Sequence, residues 1–150
     1  MRPFERGIWA IVAVWLCLAI WPASFWYDAG TLRVPDYTTG IEQLDIAYFG
    51  GARRGFRGSY TVIVRDTTTN SVVVEDASGV FPYRADAQRP DPLTIDWWAA
   101  RQGKAIRNLP PGDYAIETCW TVRALPIVPS KTTCHDPAIF HVSAQQEAQK

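Results

Sequence analysis

Neither sign of charge prevails in this 150-residue chain, since Lys plus Arg and Asp plus Glu number 15 each. No net field therefore draws it to nucleic acid or to an acidic partner, and no nucleic-acid partner is expected. Histidine is scarce as well. A hydrolytic constellation would draw on His135 or His141, the two His present, and neither sits in a recognisable motif. Cysteine is limited to three residues, and Cys134-His135-Asp136 lacks the second pair of ligands that a structural zinc site requires. No catalytic residue, metal ligand or cofactor is expected, and the chain reads as a non-enzyme. Beyond residue 28 no amphipathic helical pattern and no internal repeat are visible.

Charge is absent altogether from residues 7–27. A helix of that length spans about 30 Å, the thickness of a bilayer's hydrocarbon core. Trp9 near one end and Trp21, Trp26 and Tyr27 near the other are placed for the two membrane interfaces, where amphipathic rings favour the headgroup level. Arg2 and Arg6 precede the segment and Asp28 follows it, so the positive-inside bias predicts a single-pass protein with its N-terminus in the cytoplasm and its C-terminal part across the membrane. The rival is a cleaved secretion signal. Against it, the small residues Pro22-Ala23-Ser24 run straight into bulky Phe25-Trp26-Tyr27. A lipoprotein signal fails too, because Trp15 and Leu16 precede Cys17 where small residues are needed.

The remainder divides into a tether at 29–40, a β-domain at 41–145 and a tail at 146–150, after a stub and helix at 1–28. The tether carries Gly30, Pro35, Thr38 and Thr39 and shows no periodicity. Thereafter the period is two. Tyr60, Val62 and Val64 alternate with Thr61, Ile63 and Arg65; Val72-Val73-Val74 follows a polar turn as the second arm of a hairpin. Leu93, Ile95 and Trp97 alternate with Thr94, Asp96 and Trp98, and Tyr114 to Val122 and Ile139-Phe140-His141-Val142 complete the clear strands. A further strand is expected near Leu44 to Phe49. Short strands separated by Gly, Pro and Asp turns predict an all-β domain, a small antiparallel β-sandwich preceded by one N-terminal transmembrane helix.

Leu109-Pro110-Pro111-Gly112-Asp113-Tyr114, leading into alternating residues, resembles the approach to the penultimate strand of immunoglobulin-like and fibronectin type III-like domains. The resemblance implies that the Tyr114 hydroxyl bonds back to the backbone at that corner. In the antibody pattern a Cys follows two residues after the Tyr and on the same face; Cys119 is five residues after Tyr114, so an inward Tyr114 turns Cys119 outward. The partner it then finds is Cys134, just before the last strand. Two free thiols are the alternative, and the expected oxidising side favours the bridge.

Gly50-Gly51-Ala52-Arg53-Arg54-Gly55-Phe56-Arg57 is the densest basic stretch. It reads as a glycine-rich loop, and Arg53, Arg54, Phe56 and Arg57 are candidate binding residues for a glycan or an anionic lipid headgroup. Trp97-Trp98 is a second candidate, with Trp98 offered either as an exposed platform for a sugar or protein partner or as a covered residue. Small tethered domains of this layout are similar to accessory envelope proteins of bacteria and to membrane proteins encoded by their phages. The expectation is a binding or assembly module on the bacterial inner membrane that faces the periplasm and contacts an envelope protein or glycan. A carbohydrate-active or hydrolytic ectodomain, with Asp96 and Glu117 as its carboxylates, and a phage lysis accessory protein are the alternatives.

Overall fold

The computed structural model describes residues 3–145; Arg2 and the expected tail at 146–150 lie outside the described residues. The chain is mostly β, in two sheets, with one N-terminal apolar helix.

Helix α1, Pro3–Ile20, is long and apolar enough to cross a membrane, and none of its residues is buried against the protein. It is shorter at its C-terminal end than the uncharged run. Pro22 supplies no backbone N–H and biases Trp21 away from helical geometry, so the chain leaves α1 at Ile20 and makes a single 3₁₀ turn, Ala23–Phe25.

The segment expected as a tether is structured. Residues 29–40 contribute to strand β1, Tyr27–Arg33, and to the two-residue strand β2, Tyr37–Thr38. β1 pairs antiparallel with β3, Ala47–Ala52, as a two-stranded sheet. The register slips between Asp28 and Thr31, where Gly30 adopts φ +53° and a Cβ would fall on the carbonyl of Phe49. This bulge inserts a residue, so Tyr27 and Leu32 are both buried although five positions apart. Tyr27 therefore does not stand at the membrane interface: it is a core residue, its ring 4.5 Å from that of Trp120.

The larger sheet is built on β4, Phe56–Asp66, and β7, Gly112–Arg123, paired antiparallel from Arg57↔Arg123 to Asp66↔Tyr114. On the far edge of β4 lie β5, Val72–Ala77, and β6, Phe81–Tyr83. On the far edge of β7 lie β8, Lys131–Cys134, and β9, Ala138–Ser143. The expected β4–β5 hairpin is present, its turn held by the Asp66 carboxylate accepting from the N–H groups of Thr68 and Thr69, with Asn70 at positive φ. β2 joins the outer side of β9 in parallel, so the expected all-antiparallel pairing is replaced by a mixed sheet.

Strict alternation on β7 sends Tyr114, Ile116, Thr118, Trp120 and Val122 inward, where they meet Val62 and Val64 of β4. The Tyr114 hydroxyl donates to the Pro110 carbonyl at 2.9 Å. This inner face is covered by β1 and β3 and by two short helices, α2, Ile95–Trp98, and α3, Gly103–Arg107. The strand expected at 93–98 is thus a helix. The Thr94 hydroxyl accepts from the Trp97 N–H as an N-cap, and Ile95, Trp98 and Ala99 are buried at helical spacing. Over so short a run, period two and period 3.6 are both satisfied, and the cap and the uncovered sheet face select the helix.

Candidate functional site

Where β1, β3, β4, β6 and α2 converge, the aromatic residues leave a cleft of about 820 Å³. Its floor is Trp120 and Trp98, and its walls include Tyr48, Tyr83, Phe81 and the half-exposed Trp97. Arg53, Arg84 and Arg89 stand at its margin. In the floor the Trp98 indole N–H donates to the Thr118 hydroxyl at 3.0 Å and the rings of Tyr48 and Trp98 lie 4.7 Å apart. The cleft mixes flat apolar faces with a few convergent polar groups, which is the composition of small-ligand sites.

The polar groups are distinct in role. Arg89 lies over the Tyr48 ring and donates to the carbonyls of Tyr48 and Gly50, which fixes the 84–89 segment along β3. Arg53 pairs with Asp28 at 2.8 Å, and this hydrogen bond holds the Asp28 carboxyl below its ordinary pKa. Burial pushes Tyr48 up to about 12 and raises Tyr83 and Tyr60 as well, so all three remain protonated donors at neutral pH. Among the described residues, the Tyr83 hydroxyl is the buried side-chain oxygen with no hydrogen-bond partner. A ligand oxygen reaching the cleft wall would satisfy it.

The sequence-derived candidates disperse. Arg53 and Trp98 line the cleft. Phe56 is buried against Tyr83 with ring centroids 4.6 Å apart. Arg54 lies 3.5 Å over the Phe25 ring, and Arg57, the second residue of β4, projects into solvent. Residues 50–52 and 56–57, expected as loop, belong to β3 and β4. Of the tryptophan pair, Trp98 is 7% exposed and Trp97 50%, so the platform falls to Trp97. Asp96 of α2 is held by Arg107 of α3, over the inner face, whereas Glu117 points outward from β7 between inward Ile116 and Thr118. These two carboxylates do not meet. Of the tryptophans expected at the membrane interfaces, Trp9 is exposed on α1 and Trp21 just beyond it, whereas Trp26 is partly buried against the core.

Cys119 and Cys134 face one another directly across β7 and β8 with their sulfurs at disulfide distance. Glu117 approaches the same sulfurs, but a bridged sulfur is no thiolate and offers a metal nothing. His135, next to the bridge, is 2% exposed; its Nε2 accepts from the Thr118 N–H at 2.9 Å and its Nδ1 donates to the Asp136 carbonyl. It works as a ladder element that extends β8, and burial lowers its pKa. The sign follows: above about pH 6.5 the imidazole is neutral folded and unfolded, and below that the unfolded chain takes a proton the fold refuses. The denaturation midpoint is expected to fall as the pH drops through the range below about 6.5, and His135→Gln to flatten that slope. A midpoint constant over this window would show that His135 is accessible to protons.

The cleft's residues come from six separated stretches of chain, and the nearest local signal was the run Phe81-Pro82-Tyr83-Arg84. No protein-family model, curated protein or solved structure matches this chain.

Proposed function

We propose that this protein is a membrane-tethered binding module, without catalytic chemistry of its own, whose aromatic cleft captures a partner in the bacterial envelope. The cleft carries the proposal: Trp97 and Phe81 offer ring faces for stacking while Arg84 stands beside them, a pairing that fits a ligand of flat apolar faces bearing anionic groups, such as an acidic glycan. Anchoring by α1 suits such a ligand, since confinement to a surface raises the effective concentration of a weak binder.

The domain reads as an immunoglobulin-like sandwich of unusual cover. In support, β4, β7 and β9 stand in the C-F-G order with β5 beside β4 in the place of C′. The Tyr114 corner bond falls at the start of β7, the equivalent of strand F. Helices α2 and α3 occupy the side where that family places further strands. Periplasmic exposure is favoured by the Cys119–Cys134 pair, which persists in oxidising compartments, and by Arg6 at the start of α1.

The test is titration of detergent-solubilised full-length protein with neutral and acidic oligosaccharides, followed by tryptophan fluorescence. Trp97→Ala is expected to weaken association about 30-fold, the effect of losing an aromatic anchor worth ~2 kcal/mol, while the unfolding midpoint stays put because Trp97 is half-exposed. Equal affinity of the variant and wild type for every ligand would remove the cleft from the account, and capture of a protein instead would redirect it to assembly.

A further inference from the structure

The end of the domain from which α1 departs differs from the rest of its surface. There the backbone N–H groups of Arg53 and Arg54 donate to the Trp26 carbonyl, and the Arg54 guanidinium donates to the Phe25 carbonyl. On the other side of the exit, the Lys131 ammonium donates to the Leu18 and Trp21 carbonyls at the negative end of the helix dipole. The turn after β3 and the start of β8 therefore flank the root of α1.

Two features at this end are unexplained by the fold alone. Arg57 and Arg123 are direct cross-strand partners, both exposed on one face of the sheet. Like charges so placed repel, and among the described residues no carboxylate forms an ion pair with either. An anionic group between them would turn the repulsion into a double charge-assisted contact. The second feature is the loop that follows Arg123, which exposes Leu125 and Ile127, the latter 73% exposed. It runs beside α1, not above it: the Trp15 indole N–H donates to the Ile127 carbonyl at 2.7 Å, and Ile127 shares an apolar groove with Ile11 and Val14. Trp15 lies five residues before the end of α1, about 7 Å back along its axis. Apolar side chains of interfacial segments sink about 5–10 Å into the headgroup and acyl boundary.

We propose that this end of the domain lies on the bilayer, with Leu125 and Ile127 sunk into the acyl boundary beside α1 and with Arg57 and Arg123 taking anionic lipid headgroups. The inference rests on α1 crossing the membrane and holds for either orientation of the span. It gives the cleft a fixed height and heading above the membrane surface, since Arg53 and Asp28 at its margin adjoin the same root.

Spin labels on the full chain in vesicles test it, read as relative accessibility to oxygen and to a water-soluble nickel complex. Cys17, exposed on α1 and outside the disulfide pair, reports the span in the unaltered protein. Ile127→Cys in a Cys17→Ala background reports the loop, and Thr68→Cys in the same background reports the distant β4–β5 turn. In phosphatidylcholine with added phosphatidylglycerol, Cys17 is expected in the hydrocarbon, position 127 at interfacial depth and position 68 in water. Position 127 is expected to rise toward water in pure phosphatidylcholine, and to do so in the mixed vesicles when Arg57→Glu and Arg123→Glu are introduced. A hydrocarbon signal at Cys17 with an aqueous one at 127 in both lipids overturns this inference alone. An interfacial depth at 127 that ignores both lipid charge and the two reversals overturns the headgroup contact. An aqueous Cys17 overturns the anchor and this inference with it.

Discussion

Trp98→Ala is expected to destabilise the domain by about 3–5 kcal/mol, the range for emptying a large aromatic site in a core. The indole is 7% exposed and packs against Tyr48 and edge-on to Trp120. Its N–H is the donor to Thr118, a hydroxyl 1% exposed on the inner face of β7, so the truncation opens a cavity and also leaves a buried acceptor unpaired. Helix α2 has only four residues, of which Ile95 and Trp98 are buried, and no intrinsic stability at that length; losing the Trp98 bond to Thr118 is expected to loosen it from β7. Chemical denaturation followed by near-ultraviolet dichroism measures the loss. The adjacent Trp97→Ala serves as the control, with a change within about 0.5 kcal/mol. Equal losses for the two variants would mean that the segment 93–98 lies on the sheet in some other way, for instance as the strand that its alternation mimics.

Removal of the Cys119–Cys134 link ranks second. The bridge closes 15 residues, and in the chain-entropy model that constraint on the unfolded state contributes about 3 kcal/mol. The double substitution Cys119→Ser, Cys134→Ser is expected to lower stability by about that amount and to make the protein insensitive to reductant, while the wild type in reductant approaches the variant. His135 follows Cys134 directly and depends on the same register for its bond to the Thr118 N–H, so amide exchange at Thr118 is expected to accelerate in parallel. Unchanged stability in both comparisons would show the loop to be ordered independently of the link.

How much of this was legible in the sequence depended on whether one period ruled a whole element. On β4 and β7 the inward residues alternate without interruption, and the outward Cys119 follows from that parity, whereas the hairpin was marked by the polar turn at 66–71 and the Tyr114 corner by the resemblance at Leu109 to Tyr114. In β1 the bulge at Gly30 breaks parity, which concealed the strand and left Tyr27 looking like an interfacial residue. β2 has two residues and no pattern to show. At 93–98 the apolar residues fit both periods, and the deciding features, a Thr94 cap followed by Asp96 in the first turn, were present but outvoted by alternation. The cleft was the least legible part. Its rings come together only when β1, β3, β6 and α2 converge on Trp120, and of the Arg-rich stretch only Arg53 reaches it. Arg54 lies over the Phe25 ring beside the root of α1 and Arg57 projects from β4 opposite Arg123, because the turn between β3 and β4 splits the stretch between two faces.

We propose that α1 holds this domain in a membrane with its late cysteines bridged on the oxidising side. Alkaline carbonate washing of membranes from cells expressing the full chain, with mass-tag alkylation before and after reduction, tests it most directly. The chain is expected to stay in the washed pellet, and Cys119 and Cys134 to take tags only after reduction. A chain released into the wash, with all three cysteines tagged before any reductant is added, would contradict it.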